Sequence, residues 1–216
     1  MAQSTNETIL NQLNWRYATK KFDANKKISA SDWQTLEDVL RLAPSSYGIQ
    51  PFQFVVVLNP EVRKKLTPAS YNQPQIESCS HLVVVTHLKS VAENHVANYI
   101  QNISAVRGVP EASLNDYKQM MVGDLVKGPR SAHISTWASR QAYISMGAFM
   151  TAASLLNIDV CPMEGFDPAQ YSTILSMENS EYTPVALMAA GYRAQDDAYQ
   201  HAKKVRKNKD DLIRVV

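Results

Sequence analysis

The stretch LAPSSYGIQPFQFVVV, Leu42–Val57, joins the end of a predicted helix to a predicted buried strand. Ser29 is expected to cap that helix, and Pro44 to end it, because proline disfavours helical backbone in the preceding residue. The almost wholly apolar run Phe52–Leu58 is typical of a strand in a protein core. The turn between the two elements is more polar than a plain connector needs. Its residues of interest are Ser45, Ser46, Tyr47, Gly48 and Gln50.

Helices and strands are mixed along the rest of the chain. Further strands are predicted at His81–Leu88, Ile158–Met163 and Tyr182–Tyr192. Besides the Ser29-capped helix, helices are predicted at Glu7–Asn14, Val91–Arg107, Glu111–Val126, Ser131–Asn157 and Pro168–Met177. Since no regular βαβ repeat is present, the pattern favours an α+β fold over a doubly wound sheet. No linker or repeat interrupts the 216 residues, so a single domain, 1–216, is predicted.

Composition argues against several functional classes. The net charge of +2 gives no global attraction to nucleic acid or to a membrane. Cys79 and Cys161 lie far apart and imply no disulfide framework, and Cys161 is expected to be a small buried filler rather than a reactive thiol. The longest weakly polar run, Ala142–Leu156, is shorter than the roughly 18 apolar residues of a membrane span. Without a secretory signal pattern, a cytoplasmic protein is expected.

The motifs of common catalytic sites are missing from the sequence. None of the seven glycines belongs to a dinucleotide-binding or phosphate-binding loop, and there is no GxSxG nucleophile motif. His81 and His87 flank one predicted strand, about 20 Å apart at about 3.3 Å per residue, so they cannot bind one metal ion. Metal catalysis is therefore not expected.

Cations cluster near both ends of the chain. Extended backbone would place Arg16 and Lys20 on one side of WRYATK, and Lys204 and Arg206 on one side of KKVRKNK. Four such cations could hold a phosphate if the chain ends meet, because guanidinium and ammonium groups both bind phosphate oxygens. The alternatives for the second cluster are a solvated tail or a weak nucleic-acid patch.

Five segments in order resemble the FMN-dependent nitroreductase family, near its oxygen-insensitive NAD(P)H nitroreductases and dihydropteridine-reductase-like members. They are RYATKKFD, LAPSSYGIQPFQFVVV, YNQPQIESCSHLVVVTH, WASRQAYISMGAF with VCPMEGFD, and GYRAQDDAYQHAKKVRK. The resemblance implies a central, mostly antiparallel sheet flanked by helices. It also implies an intertwined homodimer with a C-terminal extension, and tightly but non-covalently bound FMN at the interface.

The resemblance also assigns roles to residues. The phosphate would be bound by Arg16, Lys204 and Arg206, with Lys20 near the N1–O2 edge of the flavin and Asn72 on its pyrimidine edge. Glu164 and Gly165 would lie near N5, the hydride-carrying atom, so no acid–base residue is assigned. The remaining implied contacts are Ala18, Pro44, Ser45, Ser46, Gly48, Gln75, Gln141, Pro162 and Met163.

Two positions depart from the family pattern. Ala18 replaces a serine of many relatives, which removes one hydrogen bond to the cofactor. Gln75 replaces a lysine of some relatives, which predicts a lower flavin potential. On the substrate side, Tyr47 and Tyr71 would stack on a flat molecule. Met120 or Met121 would form a mobile lid, with core packing as the alternative for both.

The resemblance implies two-electron reduction of nitroaromatics, quinones or similar planar acceptors by NAD(P)H, with ping-pong kinetics. A flavin reductase or another reductase of the same fold is the alternative within enzymes. A non-catalytic nucleic-acid-binding protein using the basic tail is the alternative outside them, and the small net charge argues against it.

Overall fold

A four-stranded antiparallel sheet forms the centre of the computed structural model, which describes residues 4–216. Its strands are β1 (Phe52–Val57), β2 (His81–Leu88), β3 (Asp159–Met163) and β4 (Tyr182–Gly191), in the order β1-β2-β4-β3. The two longest strands pair at the centre, and β1 and β3 are therefore the edges of the sheet. The predicted α+β class and antiparallel sheet are confirmed.

The register of the sheet is set by the buried strand β2. Phe52 of β1 lies opposite His87 of β2, and Tyr182 of β4 lies opposite Leu88 of β2. The pairing of β2 with β4 shifts between Val85 and Thr86, while β3 pairs with β4 without a shift. Because every residue of β2 except His81 is buried, both faces of the sheet must be covered by helices.

Helices cover the two faces of the sheet and pack beyond one end. They are α1 (Thr5–Trp15), α2 (Ala30–Leu42), α3 (Pro60–Leu66), α4 (Gln75–Ser78), α5 (Glu93–Arg107), α6 (Asn115–Met121), α7 (Ile134–Leu155), α8 (Pro168–Ile174) and α9 (Lys209–Leu212). One face packs against α2 and the long helix α7 through Trp33, Leu36 and Phe149. The other face packs against α3, α4 and α8 through Leu66, Ile76 and Tyr171.

The N-terminal half of α7 packs with α5 and α6 in a separate apolar cluster. Ile100, Leu125 and Trp137 are buried there. This region contains the main departure from prediction, because the helix expected at Glu111–Val126 is divided into a 3-10 turn, α6 and a π-helical segment, Val122–Lys127. A Cβ on Gly128 would collide with the carbonyl of Gly123, so glycine is required where the segment ends.

Other element boundaries follow local signals. Ser29 accepts a hydrogen bond from the amide of Asp32 at 3.1 Å, which confirms the predicted cap of α2. The helix expected at Ser131–Asn157 begins instead at Ile134, after a 3-10 turn. The helix expected at Pro168–Met177 is shorter and ends at Ile174. The short helix α3 is not among the predicted elements, although Asn59 caps it and Pro60 occupies its first position.

Candidate functional site

The two ends of the chain meet beside the edge strand β3. A cavity of about 450 Å³ lies between residues 14–20 and the C-terminal segment. Six of the residues assigned to the site from sequence line it together, so the condition that the chain ends meet is fulfilled. They are Arg16, Ala18, Lys20, Pro162, Lys204 and Arg206.

The buried carboxylate of Asp197 fastens the two ends together. It accepts hydrogen bonds from the Tyr17 hydroxyl at 2.9 Å and from the amides of Lys20 and Lys21 at 2.8 and 3.1 Å. Burial alone would raise the pKa of Asp197, but the hydrogen bonds outweigh it and hold the pKa below its usual range. The carboxylate therefore fixes the backbone from which Lys20 extends.

An ion pair with a buried carboxylate supports the same wall. Arg193 pairs with Asp159 at 2.6 Å, and its guanidinium lies 4.1 Å from the ring centre of Trp15 and 4.6 Å from that of Tyr17. Stacked guanidinium groups stabilise aromatic rings through cation–π attraction. This contact holds residues 15–17 against the end of the sheet, directly behind the cavity.

The cations of the cavity lie close enough to repel each other. Burial, followed by the charge of Arg206, lowers the pKa of Arg16. Burial, followed by the charges of Arg16 and Arg206, lowers the pKa of Lys204. The Nζ of Lys204 donates to the backbone carbonyls of Leu13 and Arg16, which keeps it at the cavity wall. An anion placed among these groups would relieve their repulsion.

Residues 71–75 and 162–165 form a second wall next to this cavity. The Nε2 of Gln73 donates to the carbonyl of Gly165 at 2.7 Å, so the two segments are joined. Tyr71 and Asn72 both have positive φ, at 54° and 56°, a backbone conformation that side chains rarely adopt without a local constraint. Pro162 connects this wall to the cationic cavity.

The wall contains an unsatisfied polar group. Gln75 is buried, and its Oε1 has no hydrogen-bond partner among the described residues. Its Nε2 makes only a long contact, 4.0 Å, with the Sγ of Cys161. Cys161 is itself buried, as expected of a small filler, and burial raises the pKa of its thiol. Gln75 does not itself line the cavity, but a buried carbonyl oxygen without a partner remains an unfilled hydrogen-bond acceptor.

Glu164 is held by a tyrosine of the long helix. The hydroxyl of Tyr143 donates to its Oε1. Burial, with the hydrogen bond to Glu164 second, raises the pKa of Tyr143 to about 12. The phenol therefore stays protonated as a donor at neutral pH, and it limits the rotation of Glu164 and of the Glu164–Gly165 backbone.

The polar turn of residues 44–50 is built by its own side chains. The Oε1 of Gln141 accepts from the amide of Ser46 at 2.8 Å, and its Nε2 donates to the carbonyl of Trp137 at 3.1 Å. Gln50 donates to the carbonyl of Arg41 at 2.7 Å and so supports the turn. Gln141 thus positions the turn within the same chain.

The turn does not reach the cavity within one chain. It leads into β1, at one edge of the sheet, whereas the cavity borders β3 at the other edge. Three strand spacings of about 4.8 Å separate these edges by roughly 14 Å. The structure therefore does not bring Pro44, Ser45, Ser46 and Gly48 together with Arg16 and Lys204.

The family model for the nitroreductase family matches residues 13–192 of the chain. The chain belongs to the nitroreductase family. A relative from Staphylococcus saprophyticus, named "Putative NAD(P)H nitroreductase", is 37% identical over 96% of both chains.

Solved structures of nitroreductases share the fold. A Bacillus subtilis nitroreductase structure matches with a TM-score of 0.84 at 22% identity, covering 96% of this chain and 98% of that one. A protein from Exiguobacterium sibiricum, described as a "putative nitroreductase in complex with FMN", matches with a TM-score of 0.80 at 20% identity, covering 100% of this chain and 99% of that one.

The nitroreductase family match includes only part of the candidate site. Arg16 and Lys20 lie within the matched residues, while Asp197, Lys204 and Arg206 follow them. The role of Asp197 is not predictable from the sequence, since most of the groups that it binds are backbone amides, two of them far away in the chain. A pair of adjacent acidic residues at 196–197, near a cationic tail, was its only visible signal.

The residues expected on the substrate side fall into two groups. Tyr71 and Met120 are exposed, whereas Tyr47 is partly buried, with its hydroxyl donating to Asp124 at 2.8 Å. Met121 is completely buried in the cluster formed by α5, α6 and α7. Its position matches the alternative of core packing and is incompatible with a mobile lid.

Within residues 4–216, no group of three or more His, Cys, Asp and Glu side chains is arranged to hold a metal ion. None of the helices in that range is long and apolar enough to cross a membrane.

Proposed function

We propose that this protein is an NAD(P)H-dependent oxidoreductase that binds FMN and reduces nitroaromatics, quinones or similar planar acceptors by two electrons. The observation that carries the proposal is the cavity where Arg16, Lys20, Lys204 and Arg206 converge. A protein without a glycine-rich phosphate loop needs such side chains to hold a nucleotide phosphate. Membership of the nitroreductase family supports the same reading.

The residues present fit FMN. The phosphate would be bound by Arg16, Lys204 and Arg206, whose mutual repulsion favours an anion. Gln75 offers an unpaired carbonyl oxygen and Asn72 an amide on the neighbouring wall. Bound FMN would supply a carrier that accepts hydride from NAD(P)H and passes two electrons to the acceptor.

The chain's own residues would then position and tune the cofactor. Lys20, anchored through its amide to Asp197, places a positive charge at the cavity, where it would stabilise the reduced state. Tyr143 holds Glu164 and thereby the Gly165 backbone at the same wall. Neither residue is assigned as a proton donor, and the acceptor's proton would come from water. NAD(P)H and acceptor would use the site in turn, which gives ping-pong kinetics.

We further propose that the site is completed in a homodimer. None of the residues of α1 is buried, and Ile9, Leu10 and Leu13 on this helix are exposed. Exposed apolar side chains continue along the C-terminal segment, at Val205 and Ile213. Surfaces of this kind are typical of subunit interfaces. A partner would cover them and bring its polar turn, Pro44–Gly48, to the cavity.

A reducing compartment suits the chain. Cys79 and Cys161 are both free and buried, and burial raises the pKa of the Cys79 thiol to about 11. Buried thiols kept apart are typical of cytoplasmic proteins. We therefore place the protein in the cytoplasm.

The visible absorption spectrum of the freshly purified protein tests the proposal first. Flavin bands corresponding to one flavin per chain, bleached by NADPH or NADH and restored by a quinone or nitroaromatic, are expected. Lys204→Glu should lose the bands, whereas Lys89→Glu, far from the cavity, should keep them. A wild-type protein that stays colourless after incubation with FMN would refute the proposal.

A further inference from the structure

A second cationic cavity lies at the start of the long helix α7. Its volume is about 570 Å³, and it is bordered by Arg130, His133, Thr136, Trp137 and Arg140, with Asp124 at its margin. Arg130, His133 and Arg140 are exposed, while Trp137 is buried and forms the floor. None of these residues belongs to the proposed FMN cavity.

The charges of this cavity are unbalanced. Asp124 is its only carboxylate, and it already accepts hydrogen bonds from Arg130 and from the Tyr47 hydroxyl, both at 2.8 Å. Arg140 makes no ion pair among the described residues. The cavity therefore holds an uncompensated guanidinium next to a histidine, and this combination suits a phosphate.

The cavity is coupled directly to the polar turn. Asp124 binds Tyr47, whose backbone φ is 60°. Trp137 in the floor accepts a hydrogen bond from Gln141, which in turn holds the amide of Ser46. The π-helical segment Val122–Lys127 supplies Asp124, and π-helical turns are frequent at functional sites. The cavity and the turn therefore form one continuous surface of the chain.

We infer that this cavity binds a phosphate group of the reduced pyridine dinucleotide. The inference rests on the proposed function, in which the turn lies over the flavin of a partner subunit. A dinucleotide whose nicotinamide lies at that flavin would extend its phosphates across the turn, toward Arg140 and His133. These residues would then set the affinity for NADPH, for NADH or for both.

Replacement of Arg140 tests the inference. Arg140→Gln is expected to raise the KM for NADPH about tenfold, the effect of losing one charge-assisted hydrogen bond, with kcat nearly unchanged. Arg107→Gln is the matched control, since Arg107 is an exposed arginine at the far end of α5. Calorimetry with 2′,5′-ADP and 5′-ADP gives a second readout that does not depend on turnover.

The possible results distinguish binding of the 2′-phosphate, binding of the pyrophosphate and failure of the inference. If Arg140→Gln weakens the binding of NADPH and 2′,5′-ADP only, the cavity binds the 2′-phosphate. If it weakens the binding of NADH and 5′-ADP equally, the cavity binds the pyrophosphate. Unchanged KM values in an active Arg140→Gln enzyme would overturn the inference while leaving the proposed function intact. If the wild type reduces no acceptor, the proposed function fails, and the calorimetry alone decides whether the cavity binds phosphate.

Discussion

Gln75 is a buried, uncharged side chain of the candidate flavin site that lacks a hydrogen-bond partner for its carbonyl oxygen among the described residues. It is buried beside Cys161, and its Oε1 lacks a partner. An unpaired buried carbonyl costs about 1–3 kcal/mol, so a ligand that donates to it would recover stability. The neutral amide also leaves the wall without the positive charge that a lysine would bring.

Gln75→Lys is therefore expected to raise the two-electron potential of the bound flavin. A shift on the order of 30 mV corresponds to about 1.4 kcal/mol of added stabilisation of the reduced state. Potentiometric titration of the variant against wild type measures it. Gln53→Lys, on the exposed side of β1, adds the same charge away from the site and should leave the potential unchanged. Absence of an upward shift in Gln75→Lys would contradict the tuning role.

The lowered pKa of Asp197 lets us predict how the free energy of unfolding changes with pH. Because its pKa is lower folded than unfolded, the carboxylate stabilises the fold above the unfolded value and loses that contribution as pH falls through the folded value. Asp197→Asn should therefore cost about 1–3 kcal/mol at pH 7, since Tyr17 and three backbone amides lose a charged acceptor. Urea unfolding at pH 7 and pH 3 measures the difference. The difference in the free energy of unfolding between variant and wild type should be smaller at pH 3 than at pH 7. An equal difference at both pH values would contradict the stabilising role of the ionised carboxylate.

At the residue scale, the positively charged residues of the site could be predicted from the sequence, but the residues that act through hydrogen bonds could not. Arg16, Lys20, Lys204 and Arg206 could be grouped in advance because their positive charges stand out in WRYATK and KKVRKNK. Asp197 gave only the weak signal of its acidic neighbour at 196, and Tyr143 gave none. Their partners are backbone amides or a single carboxylate, brought near only by the fold.

At the scale of elements, the turn before β1 depends on one glycine. Gly48 has φ of 78°, and a Cβ there would collide with the hydroxyl of Tyr99 on α5. Gly48→Ala should cost about 1–2 kcal/mol from the left-handed backbone alone, plus the clash. In the double variant Gly48→Ala/Tyr99→Phe, the clash should be relieved and only the backbone cost should remain. Urea unfolding of both variants and of Tyr99→Phe measures these costs. If Gly48→Ala lowers the free energy of unfolding equally in the wild-type and Tyr99→Phe backgrounds, the clash does not contribute.

Elements with strong local signals were predictable, and those shaped by packing were not. The cap at Ser29 marks the start of α2, and the continuous apolar run His81–Leu88 is β2 within its exact bounds. The segment Glu111–Val126 reads as one helix because its composition is helical throughout. Its π-helical end depends instead on the close approach of Gly128 to Gly123, a tertiary contact invisible in the local sequence.

For the whole molecule, the decisive fact is that the two groups of proposed FMN contacts lie at opposite edges of one sheet. The cationic cavity borders β3, and the polar turn leads into β1. Sequence order alone cannot reveal this separation, because strand order in a sheet differs from order in the chain. A homodimer in which each group comes from a different subunit, as proposed above, would bring both groups to one cofactor.

Complementation between two inactive variants tests this arrangement. Arg16→Glu should destroy the cavity of its own chain, and Ser46→Trp should block the site of its partner, since the Ser46 side chain is exposed. Co-expressed with different tags, the two should recover about a quarter of wild-type activity, because about half of the dimers are mixed and one of their two sites is intact. Light scattering should show that each variant alone remains dimeric. If Ser46→Trp alone stays active, the turn does not cover the cofactor. If both variants are inactive and the mixture is too, the two groups of residues belong to the same subunit's site.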